Sequence, residues 1–211
     1  HNYSTILNGV SVKTTYGNFK KLENNKDVKK AILSDSYNLP LTTKGSSSSA
    51  VENVVDVYET GIFNSSSVEY TGAGTVVAVL DSGFDCSHSV FAKSPKNPSM
   101  TQETIAGVLD QSIAKKNTTS LKATDVYYSE KIPFVYDYAD KDADVNPYDS
   151  EHGTHVAGII GGKDSTITGV ATDAQLVLLK VFSDFDEGAK EADILAGLED
   201  AVLLNVDAIN M

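Results

Sequence analysis

The chain has 211 residues, 41% of them hydrophobic, and 29 Asp and Glu against 17 Lys and Arg give it a formal net charge of −12. That acidic balance argues against nucleic acid or an anionic membrane surface as partner, and no stretch approaches the roughly 18–20 consecutive apolar residues of a membrane span. A single cysteine, Cys86, excludes an internal disulfide and an all-cysteine metal site. The opening His1-Asn2-Tyr3 has neither the basic nor the apolar region of a signal peptide, and both ends are expected to be cuts in a longer protein.

In chain order, Tyr3 to Leu7 and Val10 to Thr14 are two short β-like runs with Asn8-Gly9 between them, a hairpin signal. Gly17 to Asn25 predicts a helix with Phe19 and Leu22 on one face, and Val28 to Leu33 predicts another strand. This β-β-α-β module, placed at residues 1–39, is small for a stable core of its own. Leu41 to Ala50 (LTTKGSSSSA) has the composition of a flexible linker, placed at 40–50. The larger domain is placed at 51–211. In it, Thr75 to Leu80 (TVVAVL) is a nearly continuous β-branched run, as in a strand buried on both faces of a parallel sheet. A helical piece is expected near Thr101 to Lys116. Leu176 to Phe182 and Val206 to Met211 repeat the strand pattern, and between them Glu187 to Asn205 predicts a helix through Ile194, Leu195, Leu198 and Val202. Strand, helix, strand implies an α/β fold with a parallel sheet. The working residues of such sheets lie in loops at the carboxyl ends of the strands.

Asp81 follows its strand directly, where a carboxylate can be held rigidly to orient an imidazole; the same placement also suits a simple turn cap. His152-Gly153-Thr154-His155 opens a helix whose small residues, Gly153, Ala157 and Gly158, allow close packing. That puts His152 at a helix N-terminus, a position suited to a neutral imidazole acting as general base. The two histidines are three apart rather than the four of a zinc-binding helix. His155 is therefore expected to be a packed, hydrogen-bonded structural residue.

Taken together, VAVLDSG (77–83), HGTHVAGIIGG (152–162), GVATDAQLVLLKVF (169–182) and DAINM (207–211) resemble the subtilisin family of serine proteases, in the family's order, across residues 72–211. The resemblance implies a three-layer α/β fold with a parallel sheet, here incomplete, and acyl transfer in which Asp81 orients His152 and His152 activates a serine. The family serine lies in a Gly-Thr-Ser-Met-Ala motif that does not occur in this sequence. By the same resemblance, residues 1–39 look like the later part of an inhibitory α+β propeptide. The long insert between Asp81 and His152, containing KIPFVYDYADKDADVNPYDSEHGTH, resembles the lactocepin and C5a-peptidase branch of bacterial cell-envelope proteinases. That implies protein or peptide substrates, the chain's own propeptide as a partner, and a secreted or cell-surface location.

Other positions are less specific. Gly188, in the Ser183–Gly188 segment after the second long strand, is assigned to substrate binding. The acidic run Asp137, Asp140, Asp142 and Asp144 offers oxygen ligands of the kind calcium takes, though such runs are more often solvated loops. Many subtilisins place a calcium-binding acid nine residues after the catalytic Asp, where this chain has Val90. No metal ligand is assigned and no cofactor is expected to be required, with Ca2+ an option for stability only. Two rival readings remain at this level: a subtilisin-like pseudoprotease lacking the serine, and a metal-dependent hydrolase using Asp81, Asp85, His88, His152 and His155.

Overall fold

Alternation along three strands builds the centre of the fold, in a computed structural model that describes residues 1–38 and 70–211. The linker expected at 40–50 lies outside the described residues. The strands are β4 (Val76–Asp81), β5 (Phe134–Asp137) and β6 (Gln175–Lys180). Ala78, Leu80, Phe134, Tyr136, Val177 and Leu179 face one buried cluster, and Val79, Val135, Leu176 and Leu178 face the other. A strand covered on both faces has no use for polar alternation, which is why these runs are nearly continuously apolar. With β8 (Ala208–Asn210) the sheet has the order β5-β6-β4-β8, and every pairing is parallel.

Helices cover the two faces, giving three layers. On the first lie α2 (Gln102–Val108), α3 (Ile113–Asn117) and α6 (Glu191–Leu203), which supply Ile105, Ile113, Ala114, Ala196 and Ala201. On the second lies α5 (His152–Gly161), which supplies Ala157. The helix expected near Thr101–Lys116 is thus broken in two by a 3-10 turn at Leu109–Gln111. The break is held by buried Asp200 of α6. Its carboxylate accepts the Ile113 and Ala114 N–H groups at 2.7 and 2.9 Å and the Tyr138 hydroxyl at 2.8 Å. A further short helix, α4 (Ala123–Val126), completes the insert before β5. Among the described residues no helix is long and apolar enough to cross a membrane.

The N-terminal segment departs from the sequence expectation at two points. β1 (Asn2–Tyr3) and β2 (Gly9–Val10) do pair antiparallel, but in the register Asn2 to Val10 and Tyr3 to Gly9, so the turn is longer than Asn8-Gly9. The cause is Glu199 of α6. Its two carboxylate oxygens accept the N–H groups of Ser4, Thr5, Ile6 and Leu7 at 2.5–3.1 Å and curl the chain there. The helix α1 (Tyr16–Glu23), capped by Thr15, forms as expected. Val28–Leu33 forms no strand, however, and Ile32 and Leu33 are exposed. The strand instead comes later, as β3 (Ser36–Tyr37), where a partner is available in β7 (Ala189–Lys190). Strand identity here is set by what lies alongside rather than by local propensity.

Candidate active site

Asp81 ends β4 and is in register with Lys180 at the end of β6, which in turn is in register with Asp137 at the end of β5. The three side chains therefore form a row at the carboxyl edge of the sheet, where ligand sites of parallel sheets lie. α5 runs up to this edge, and its first residue is His152. His152 Nδ1 lies 2.8 Å from Asp81 Oδ1 and 2.9 Å from Oδ2. An ionised carboxylate only accepts, so Nδ1 carries the proton and Nε2 keeps its lone pair. Ser82 N–H donates to Asp81 Oδ1 at 2.7 Å and fixes the carboxylate's rotation. Asp81 is 7% exposed, whereas the His152 side chain keeps 30% of its surface open. A buried carboxylate behind an accessible imidazole is an arrangement that can receive a proton on the solvent side and stabilise the cation formed.

Gly153 explains how close the two elements come. A Cβ on this residue would stand 2.5 Å from the Gly83 carbonyl oxygen and 3.0 Å from Asp81 Cβ. Around the pair, Ser82 donates to the Ser150 carbonyl at 3.2 Å and Ser150 Oγ accepts the His152 N–H at 3.3 Å. These serines line a cavity of about 610 Å³ that is also lined by Phe182 to Gly188. Gly188 thus borders the cleft. Its φ of +73° suits glycine, and a Cβ there would stand 2.7 Å from the Tyr37 carbonyl oxygen.

Other sequence expectations fare differently. His155 is exposed rather than packed, because the buried positions of α5 are 153, 154, 157, 158 and 161 and residue 155 turns away from them. Asp85 accepts from Ser87, and His88 Nδ1 accepts the Val90 N–H. Among the described residues no group of three or more His, Cys, Asp or Glu is placed to hold a metal ion. The acidic run is divided. Asp137 and Asp140 face Lys180, while Asp142 and Asp144 accept backbone N–H groups of their own turn. Cys86 is buried, and burial pushes its thiol up to about 12, so it is a packed side chain and not a nucleophile. Sequence reasoning misses Lys180. A lysine inside LVLLKVF is itself the signal, since a charge in a strand buried on both faces must have a counter-charge.

The geometry can be set beside known proteins. The chain is 30% identical to the PII-type proteinase of Lactococcus lactis subsp. cremoris over 99% of its own length, and 31% identical to that of Lacticaseibacillus paracasei over 99%. It is 33% identical to the C5a peptidase of Streptococcus pyogenes serotype M3 over 66% of its length. It spans about a tenth of these curated relatives, 10% of the proteinases and 12% of the C5a peptidase. Among solved structures, the prenylagaramide maturation protease PagA matches with a TM-score of 0.40 at 20% identity, over 76% of this chain and 38% of that one. Residues 72–211, which hold β4, the Asp81–His152 pair and the cleft wall, match the subtilase family, Peptidase_S8, and the chain belongs to that family.

Proposed function

We propose that the full-length protein containing this chain is a serine endopeptidase that hydrolyses peptide bonds by acyl transfer. The observation that carries this reading is the two-oxygen contact of the Asp81 carboxylate with His152 Nδ1 at the sheet's carboxyl edge. His152 Nε2 takes the proton of a serine hydroxyl, supplied from outside these 211 residues, as its oxygen attacks the substrate carbonyl. The proton then passes to the leaving amine, and an acyl-enzyme remains for water to hydrolyse. Asp81 keeps the ring in the productive tautomer and stabilises its cation. Substrates are proteins or peptides lying in the cleft between Ser150 and Gly188, and the enzyme works outside a bacterial cell or on its surface. The test is labelling of the full-length protein by a fluorophosphonate probe, with hydrolysis of a fluorogenic protein substrate that survives a chelator. Absence of both labelling and hydrolysis in folded protein would identify a pseudoprotease, and hydrolysis lost to the chelator in a protein that stays folded and takes no probe a metal-dependent hydrolase.

Residues 1–39 belong to a propeptide that docks on the catalytic part, with cleavage in the Ser-rich stretch beyond. Two features support this. Tyr3 is the one buried hydrophobic side chain among described residues 1–38, so the segment has almost no core of its own. Its contacts go instead to α6 and its start: Tyr3 hydroxyl to the Ala192 carbonyl at 2.9 Å, His1 to Asp193 at 2.7 Å, Glu191 N–H to the Asp35 carbonyl at 2.9 Å, and the four amides on Glu199. β3 then leads Asn38 to the rim of the cleft. Burial alone would raise the Glu199 carboxyl, but the four N–H donors outweigh it and hold it below the ordinary carboxylate range. A depressed carboxylate stabilises the docked state above its ordinary titration range and loses that stabilisation as pH falls through the lowered value. The contact is thus intact at neutral pH and weakens as pH falls below the ordinary carboxylate range. In the full-length protein, Glu199→Ala is expected to raise hydrogen exchange at the amides of Ser4 to Leu7 by about tenfold or more, in keeping with the loss of a charge-assisted contact. Unchanged protection would contradict the docking. A mature N-terminus at or before His1 would contradict the propeptide.

A further inference from the structure

We infer that Lys180 is a positioning residue of the cleft, whose buried ammonium pins the Ser183–Gly188 wall to the turn that follows β5. The inference rests on the peptidase reading above and adds to it a residue outside the Asp81–His152 pair. Lys180 is 1% exposed, and its ammonium meets Asp137 Oδ2 at 2.7 Å, Asp184 Oδ1 at 2.5 Å and Asp140 Oδ2 at 3.9 Å. Burial lowers the ammonium's proton affinity, but the bonds to Asp137 and Asp184 outweigh that and leave it above the ordinary lysine value. The group is therefore a fixed cation at neutral pH.

Two loops converge on this cation. From the β5 side, Asp137 Oδ1 accepts the Ala139 and Asp140 N–H groups at 2.8 and 2.9 Å, shaping the turn. From the cleft side, Asp140 accepts the Ser183 hydroxyl at 2.5 Å and the Asp184 N–H at 2.8 Å, and Ser183 Oγ accepts the Phe185 and Asp186 N–H groups at 3.0 and 3.1 Å. Ser183 and Asp184 are thereby tied to the 137–140 turn, and Phe185 and Asp186 are tied to Ser183, with Phe185 lining the cavity at 86% exposure. Asp137, Asp140 and Asp184 are three carboxylates around one ammonium. Remove the cation and like charges at short range drive the wall off the turn. Among the described residues the Lys180 ammonium pairs with Asp137, Asp140 and Asp184 rather than with Asp81 or His152, and the catalytic pair has its own supports in Ser82 and Ser150. Its loss should therefore damage substrate binding more than the chemical step.

The experiment uses the full-length protein with Lys180→Met, Lys180→Arg and Asp184→Asn, the last leaving the Lys180–Asp137 pair in place should Lys180→Met fold poorly. Hydrogen exchange at 183–188 is read first, because it does not depend on hydrolysis. It is expected to rise at least about tenfold in Lys180→Met and Asp184→Asn and much less in Lys180→Arg. KM for a quenched fluorescent peptide is expected to rise about tenfold in the same two variants with kcat within about threefold, the pattern of lost uniform binding. A wall that exchanges no faster in folded variants, or a loss confined to kcat, overturns the assignment. A protein that hydrolyses nothing while its wall loosens as expected keeps the anchor and defeats the peptidase reading instead.

Discussion

Replacing His152 by alanine in the full-length protein is expected to lower kcat by about 10⁵–10⁶-fold, the size known for removal of the triad histidine in this family and not a figure derived from this geometry. Asp81→Asn should cost about 10⁴-fold, because an amide facing Nδ1 favours the tautomer with its proton on the wrong nitrogen. Combining the two should cost little more than His152→Ala alone, since Asp81 acts only through His152. KM should change little in any of the three, because Ser183 and Asp184 of the cavity wall are held by separate bonds to Asp140. Steady-state kinetics on a peptide amide, with folding checked by thermal melting, decides the matter. A folded His152→Ala protein with near-normal turnover would remove the imidazole from the mechanism. His155→Ala is the matched control. Its side chain is exposed and lies on the far side of α5 from the buried positions, so neither turnover nor stability should fall.

How far each residue is legible in the sequence follows from where its constraint originates. β4 and β6 are legible because burial on both faces writes itself into every position, and Asp81 and His152 because a strand end and a helix start each leave a local pattern. β5 is not. Phe134–Asp137 is four residues inside a polar insert, and its strand character comes from pairing with Val177–Lys180 far along the chain. The N-terminal hairpin is legible as a pairing but not in its register, since Glu199, nearly two hundred residues away, decides where the chain turns. The orientation of His155 is hidden for a related reason: its spacing from His152 says that it shares the helix, while only the packing of α5 on β4 says which way it faces. The Lys180 cluster lies between these cases. Its lysine is visible as a charge in an apolar run, but Asp137 and Asp140 become its partners only once β5 and β6 are aligned in parallel at their carboxyl ends, with Asp184 following on the loop after β6.

Gly153→Ala is expected to cost about 10²-fold or more in kcat/KM, although alanine is the better helix former by about 1 kcal/mol in an ordinary helix interior. The added methyl would stand 2.5 Å from the Gly83 carbonyl oxygen, 2.9 Å from Phe84 Cε1 and 3.0 Å from Asp81 Cβ. None of these can yield cheaply. Gly83 O is backbone, the Phe84 ring is fully buried, and Asp81 is anchored in the sheet by its pairing with Lys180. Carbon and oxygen need roughly 3.5 Å for an unstrained contact, so the start of α5 must withdraw from β4 by about 1 Å. That withdrawal falls directly on the bonds of 2.8 and 2.9 Å between His152 Nδ1 and Asp81, and displacement of a reacting group by about 1 Å is enough to cost about 10²-fold. Gly158→Ala makes the comparison fair: it lies on the same helix, is buried as well, and an added methyl there would meet nothing within 4 Å beyond its own helix. It should keep full activity and melt at the same or a higher temperature. Equal kinetics for the two variants would mean that the approach of α5 to β4 does not set the catalytic geometry. A selective loss in Gly153→Ala, with both proteins folded, would show that a missing side chain is what lets the imidazole reach its carboxylate.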